Sequence, residues 1–244
     1  MIYNIYRIFQ VLEKNSVFRC FVKSVNNEKE VFVNELFYKS DLKNLLEFYE
    51  TREEWKNILH YRTLTQEIAP VENIFFGDSI TCAWPLHEFF PGVSLLNRGI
   101  PGDNVIGLHY RLQGDVLAYS PKRVFMMIGI NGIDSDQSLL LARIEKVASL
   151  MAEAGIRVYP GSILPLRDPD AWDRFQYQEK IVKVNQTLRE WSADHAAGFL
   201  DYHTLLKDET GQLAAEYAQP DGTHLTFAAY RRMSALVAPV LNEK

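Results

Sequence analysis

From Asn73 onward the apolar positions fall into two alternating patterns. Short runs of bulky, β-favouring residues lie at 74–76, 93–96, 124–128, around Val158 and at 199–200. Between them come stretches whose apolar residues recur at helical spacing, near 105–117, 139–154, 181–193 and 226–241. Strands alternating with helices of this length predict right-handed βαβ crossovers, and so a parallel sheet with helices on both faces. The longest loop predicted is 161–172 (GSILPLRDPDAW), at a strand end where loops often shape a pocket.

The first 70 residues follow a different pattern. Ile5, Ile8, Phe9 and Leu12 are helix-spaced, and Asp41 is placed to cap a second helix carrying Leu42, Leu45, Leu46 and Phe48. Residues 30–38 are β-favouring only in part, and Trp55, Ile58, Leu59 and Tyr61 make an aromatic-rich approach to the first strand. The chain divides on this reading into an N-terminal extension, 1–70, and a main domain, 71–244. The extension carries no chemical motif. A packing extension, a lid, a homo-oligomerisation surface and a separate small accessory domain all fit it.

Composition narrows the class. Hydrophobic residues make up 47% and charged residues 23% of the 244, which suits a soluble globular chain with a sizeable core. A net charge of −5, with no basic run, argues against a nucleic-acid or acidic-membrane partner. Cys20 and Cys82 are too few for a disulfide framework and have no metal-ligand spacing. The N-terminus is interrupted by Arg7, Glu13 and Lys14 and lacks a cleavage site, and no apolar run is long enough for a membrane span. The expectation is a soluble, cytoplasmic protein.

Candidate chemistry gathers at the strand ends, where open α/β sheets place their sites. After the first run comes Gly77-Asp78-Ser79-Ile80. Its serine is either a nucleophile or a helix N-cap; Cys82 belongs a turn further into the following helix. After the second comes Asn97-Arg98-Gly99-Ile100-Pro101-Gly102-Asp103. Such a glycine turn either bares backbone N–H groups for a developing negative charge or simply ends in a helix cap at Asp103. It fits neither a P-loop nor a GxGxxG fingerprint. After the third comes Gly129-Ile130-Asn131-Gly132, a turn dipeptide or an amide donor. Before the last helix, Asp221-Gly222-Thr223-His224 lets one loop present a carboxylate and an imidazole together. Metal binding is a weak rival, because His60, His87, His109, His195 and His203 form no HxxxH or HExxH pattern. His195 and His203 are expected to face solvent or pack at helix ends.

These four blocks, in this order, resemble the SGNH (GDSL) hydrolases, over roughly residues 70–244. GDSI at 77–80 and DGTH at 221–224 are the specific ones; NRGIPGD at 97–103 and GING at 129–132 complete the set. The resemblance implies a three-layer α/β/α, flavodoxin-like fold with a mainly five-stranded parallel sheet and no cofactor. It implies a triad of Ser79, His224 and Asp221. It also implies an oxyanion hole from the N–H of Ser79, the N–H of Gly102 and the amide of Asn131, with Gly99 a second candidate for the glycine donor. Gly132 stands where the family usually has Asp. That departure bears on the geometry around Asn131.

The second and third blocks look most like the platelet-activating-factor acetylhydrolase-like and carbohydrate acetylesterase branch. That implies a short acyl group, often acetyl, on a small-molecule or glycan alcohol. Arg98, Trp84, Arg167 and Trp172 either flank a polar substrate or pack. The alternatives are a lysophospholipase or acyl-thioesterase, which needs an apolar acyl channel, and an inactive fold kept as a binding module.

Overall fold

The apolar runs read as strands all pair in parallel, but the last of them only through one residue. Strands β1 (Asn73–Gly77), β2 (Leu95–Gly99), β3 (Arg123–Met127) and β4 (Arg157–Pro160) form a sheet in the order β2-β1-β3-β4. Gly77 lies level with Gly99 on one side and Met127 on the other, so the ends of β2, β1 and β3 share one edge of the sheet. The computed structural model describes residues 36–50, 60–61, 63–65, 67–167 and 175–243. Two compact units divide the chain, residues 1–43 and 44–244, and the sheet lies in the second.

Among the described residues the sheet has four strands rather than the expected five. Leu200 bridges Gly161 in parallel, but Asp201 at once caps a helix by accepting the N–H of Thr204. The run is therefore turned into a helix before it can extend the ladder. The second strand also runs later than its apolar pattern, through Asn97 and Arg98. Tertiary contacts make those polar residues fit: the Asn97 amide donates to the Thr81 carbonyl at 2.8 Å, and the Arg98 guanidinium lies 4.4 Å over the Tyr61 ring.

Helices α1 (Lys39–Glu50), α2 (Ser79–Cys82), α3 (Leu86–Phe89), α4 (Val105–Asp115), α5 (Gln137–Glu153), α6 (Phe175–His195), α7 (Tyr202–Leu206) and α8 (Phe227–Leu241) complete the described residues. Asp41 sits inside the first turn of α1, not before it, and its carboxylate accepts the N–H of Tyr38 at 3.2 Å. That is the reach-back arm of a capping box. The helix-spaced residues 5–12, Cys20, Trp55 and Trp172 lie outside the described residues.

One face of the sheet packs through an aromatic ladder. Phe75 stacks on Phe125 with ring centroids 4.7 Å apart, and Phe125 on Tyr159 at 5.4 Å. Trp84 meets Phe75 edge-on at 5.4 Å. Each such pair adds roughly 0.5–1.5 kcal/mol beyond burial alone, so the strand that precedes Ser79 is firmly seated. Ala229, Tyr230, Met233 and Val237 of α8 close the same cluster.

Candidate active site

β1 ends at Gly77 because nothing larger fits there: a Cβ would run into the Met127 carbonyl and the Thr81 side chain. Asp78 follows and caps α2, its Oδ1 accepting the N–H of Ile80 at 3.0 Å. The cap is thus Asp78, and Ser79 is the first residue of the helix, with its hydroxyl left for other work. Asp78 is buried, and burial pushes its carboxyl up to about 7 against the Ile80 hydrogen bond.

The serine Oγ lies 3.0 Å from Nε2 of His224, and Nδ1 of the same ring lies 2.6 Å from Asp221 Oδ2. A carboxylate only accepts, so Nδ1 carries the proton and Nε2 is left to accept from the serine hydroxyl. The loop is tied so that this line persists. Asp221 Oδ1 accepts the N–H groups of Thr223 and His224, both at 2.9 Å, and the Gly222 carbonyl accepts the N–H of Arg167 at 2.7 Å. Burial works to raise the Asp221 carboxyl, but those N–H groups and the imidazole outweigh it and hold it at about 2.

The second and third strand ends meet each other beside this line. The N–H of Ile100 donates to the Gly77 carbonyl at 3.1 Å, which ties the turn after β2 to the end of β1. Gly102 sits at φ +76, in the left-handed region that glycine adopts without strain. Asn131 donates one amide hydrogen to the Asp103 carbonyl at 2.8 Å. Among the described residues, the N–H groups of Ser79 and Gly102 have no acceptor. Gly99 differs, because its N–H already donates to Asn97 Oδ1 at 2.9 Å. Helix α4 is capped by Asn104, which accepts from Ile106 and Gly107, and not by Asp103 as the turn suggested.

Asp103 is instead the centre of a buried cluster that the sequence reading missed. Arg111 donates to Asp103 Oδ2 and to Asp115 Oδ2, each at 2.7 Å. The same guanidinium holds the carbonyls of Arg98 and Gly77, each at 2.8 Å. One side chain therefore clamps the ends of β1 and β2. Burial works against the charge of Arg111, but the two carboxylates outweigh it and push its pKa above the ordinary value. The i,i+4 pairing of Arg111 and Asp115, opposite charges on one helix face, was the available signal.

The side chains considered for substrate contact are structural where they are described. Arg98 is buried, bonded to the Tyr119 hydroxyl at 2.8 Å. The Trp84 indole donates to Ser234 within the core at 2.9 Å. Arg167 holds Asp208 at 3.0 Å and the Leu213 carbonyl at 2.9 Å. His195 is exposed at the end of α6, stacked on Trp191, whereas His203 is buried in α7 and does not face solvent. Among the described residues no group of three or more His, Cys, Asp or Glu side chains is placed to hold a metal ion. No described helix is long and apolar enough to cross a membrane.

A small apolar pocket of about 20 Å³ is lined by both chain neighbours of the serine, Asp78 and Ile80. Met127, Ile130, Ile163, Leu166 and Thr223 also line it among the described residues.

Several solved structures share this fold. One named for platelet activating factor, from Streptococcus pneumonia, is 28% identical, with a TM-score of 0.72 over 84% of this chain and 100% of its own. A GDSL-like lipase from Bacteroides thetaiotaomicron is 25% identical, with a TM-score of 0.69 over 76% and 97%. An acetyl-xylooligosaccharide esterase from Geobacillus is 17% identical, with a TM-score of 0.59 over 72% and 96%, a likeness of fold alone. No curated protein matches the chain. The GDSL-like lipase/acylhydrolase family matches residues 75–232, which takes in the serine, the glycine turn, the asparagine and the Asp221–His224 loop. The chain belongs to the GDSL-like lipase/acylhydrolase family.

Proposed function

We propose that the chain is a serine esterase that removes short acyl groups, acetyl foremost, from a carbohydrate or related small alcohol through an acyl-serine. The observation that carries the reading is the unbroken line from Ser79 Oγ to His224 Nε2 at 3.0 Å and from Nδ1 to Asp221 at 2.6 Å. In this reading residues 71–244 are the catalytic domain and residues 1–70 an extension.

As Ser79 Oγ bonds to the ester carbonyl carbon, its proton passes to Nε2, and Asp221 stabilises the imidazolium. The carbonyl oxygen takes up the electron pair and is held by the N–H groups of Ser79 and Gly102 and by the Asn131 amide. Each donor in such a hole contributes about two to three orders of magnitude in rate. The occupied N–H of Gly99 supports Gly102 as the glycine donor. Collapse breaks the bond to the alcohol, which leaves with the proton from Nε2. Water then gives a proton to Nε2 as its oxygen attacks the acyl carbon, and collapse breaks the bond to Ser79 Oγ, which takes that proton back as the acid leaves.

The confined aliphatic pocket supports a short acyl chain, because each added methylene needs room that this space does not offer. Gly132, where the family usually has Asp, leaves Asn131 still bonded to Asp103, which supports a working site over an inactive binding module. The test is a series of aryl esters from acetate to octanoate, with wild type and Ser79→Ala. The reading expects acetate to be cleaved fastest and the variant to be inactive. A maximum at octanoate points instead to a lysophospholipase or thioesterase. Failure of wild type to be labelled by a fluorophosphonate points to a binding module.

A further inference from the structure

The turn after β2 is held by a residue that lies outside the family match. Tyr49 of α1 is fully buried, and its hydroxyl donates to Asp103 Oδ1. That oxygen also accepts the N–H of Asn104 at 2.9 Å, while Oδ2 is held by Arg111. The N–H of Asn104 and the carbonyl of Asp103 belong to one rigid peptide plane. That same carbonyl accepts the Asn131 amide at 2.8 Å. The hydroxyl thus steadies the carboxylate, the carboxylate steadies the plane, and the plane aims the amide.

The sequence keeps this contact open. Gly107 faces it, and a Cβ there would lie 2.5 Å from the Tyr49 oxygen and nearer still to the Asp103 carboxylate. Burial, and then the Asp103 charge, push the phenol well above its ordinary range, so it remains a donor at neutral pH.

We propose that Tyr49 is a positioning residue for the esterase reaction, orienting the Asp103–Asn104 peptide so that Asn131 presents its remaining amide hydrogen to the oxyanion. The inference rests on the reading of Ser79, His224 and Asp221 given above. It assigns part of the N-terminal extension to the chemistry without any contact with substrate.

The experiment compares the full-length chain with Tyr49→Phe, which keeps the ring, and with Leu45→Ala. The latter empties a buried apolar position one turn earlier on the same helix and leaves the Tyr49 hydroxyl in place. Aryl acetate kinetics, melting temperature and hydrogen exchange of peptides spanning 99–105 and 129–134 are measured on all three. Tyr49→Phe is expected to lower kcat about tenfold or more with KM within twofold, and to speed exchange in the 99–105 peptide. Leu45→Ala is expected to lower the melting temperature while kcat stays within twofold. Unchanged kcat and unchanged exchange in Tyr49→Phe overturn the proposal. So does an equal loss of kcat in Leu45→Ala, because the effect would then be one of general stability. If the wild-type chain cleaves no ester, the esterase reading fails on its own. The exchange comparison then decides separately: no acceleration at 99–105 overturns the role of Tyr49 in holding the turn.

Discussion

Replacing Asp221 by Asn separates the charge of this group from its hydrogen bonding. Among the described residues Asp221 accepts from three donors: Oδ1 takes the N–H groups of Thr223 and His224, both at 2.9 Å, and Oδ2 accepts from the imidazole at 2.6 Å. An asparagine has one oxygen and one NH₂ to offer. With its oxygen on the two backbone N–H groups it keeps both bonds and turns NH₂ towards Nδ1. The opposite orientation keeps one bond and sets NH₂ against two donors. At about 1 kcal/mol for each neutral bond, the first arrangement wins by roughly 1–3 kcal/mol. The ring then accepts at Nδ1 and carries its proton on Nε2, where it faces Ser79 and cannot take a proton from it. Loss of the carboxylate also removes the partner of the imidazolium. Together these are expected to lower kcat by about three to four orders of magnitude, with KM for aryl acetate nearly unchanged. Because the site is part-exposed, the melting temperature should shift by no more than a few degrees. A variant within tenfold of wild type in kcat would refute the assigned tautomer and the proton path with it.

Arg111→Met should destabilise the chain by roughly 3–5 kcal/mol in urea titrations, since Asp103 and Asp115 would stay buried without their counter-charge; a loss below about 1 kcal/mol would show that the clamp is dispensable. Asp78→Asn tests the buried carboxyl beside the serine. Its folded-state pKa of about 7 lies above the ordinary 3.8. The folded chain therefore holds the proton where the unfolded chain has lost it, and this contribution is present below about pH 4 and lost as pH rises to 7. The gap is worth at most roughly 4 kcal/mol, so stability curves of wild type and variant should converge at low pH and separate in the variant's favour by pH 8. A wild-type curve that gains on the variant as pH rises would contradict the assignment. Gly107→Ala should cost about 1–3 kcal/mol by overpacking and slow ester cleavage, because its Cβ would displace Tyr49 from Asp103; an unperturbed melting curve would count against that contact.

Much of this architecture is legible in local sequence. The runs at 74–76 and 124–128 are strands because aromatic and β-branched residues there pack on both faces. The helices after β2 and β3 begin within two residues of where their spacing starts. Ser79, Asn131, Asp221 and His224 are readable as candidates because each sits at a strand end or helix start marked by glycine. The rest depended on partners distant in sequence. Asn97 and Arg98 look like loop residues until Thr81, Tyr61 and Tyr119 are seen to satisfy them. Asp103 looks like a cap until Arg111 and Tyr49 converge on it. Trp84 and Arg167 look surface-suited until Ser234 and Asp208 claim them. No local pattern encodes a pairing across 54 residues, such as that of Tyr49 with Asp103.

The bond from Asn131 to the Asp103 carbonyl has a consequence for timing. A planar NH₂ group has two hydrogens at a fixed angle, so anchoring one settles the direction of the other before any ester arrives. Water in the same place would have to rotate as negative charge grew, and that rotation would add to the barrier at every turnover. In the proposed oxyanion hole the alignment is completed once, when the chain folds. Lengthening the side chain by a single methylene, as in Gln, would keep the chemistry of the group and lose its aim.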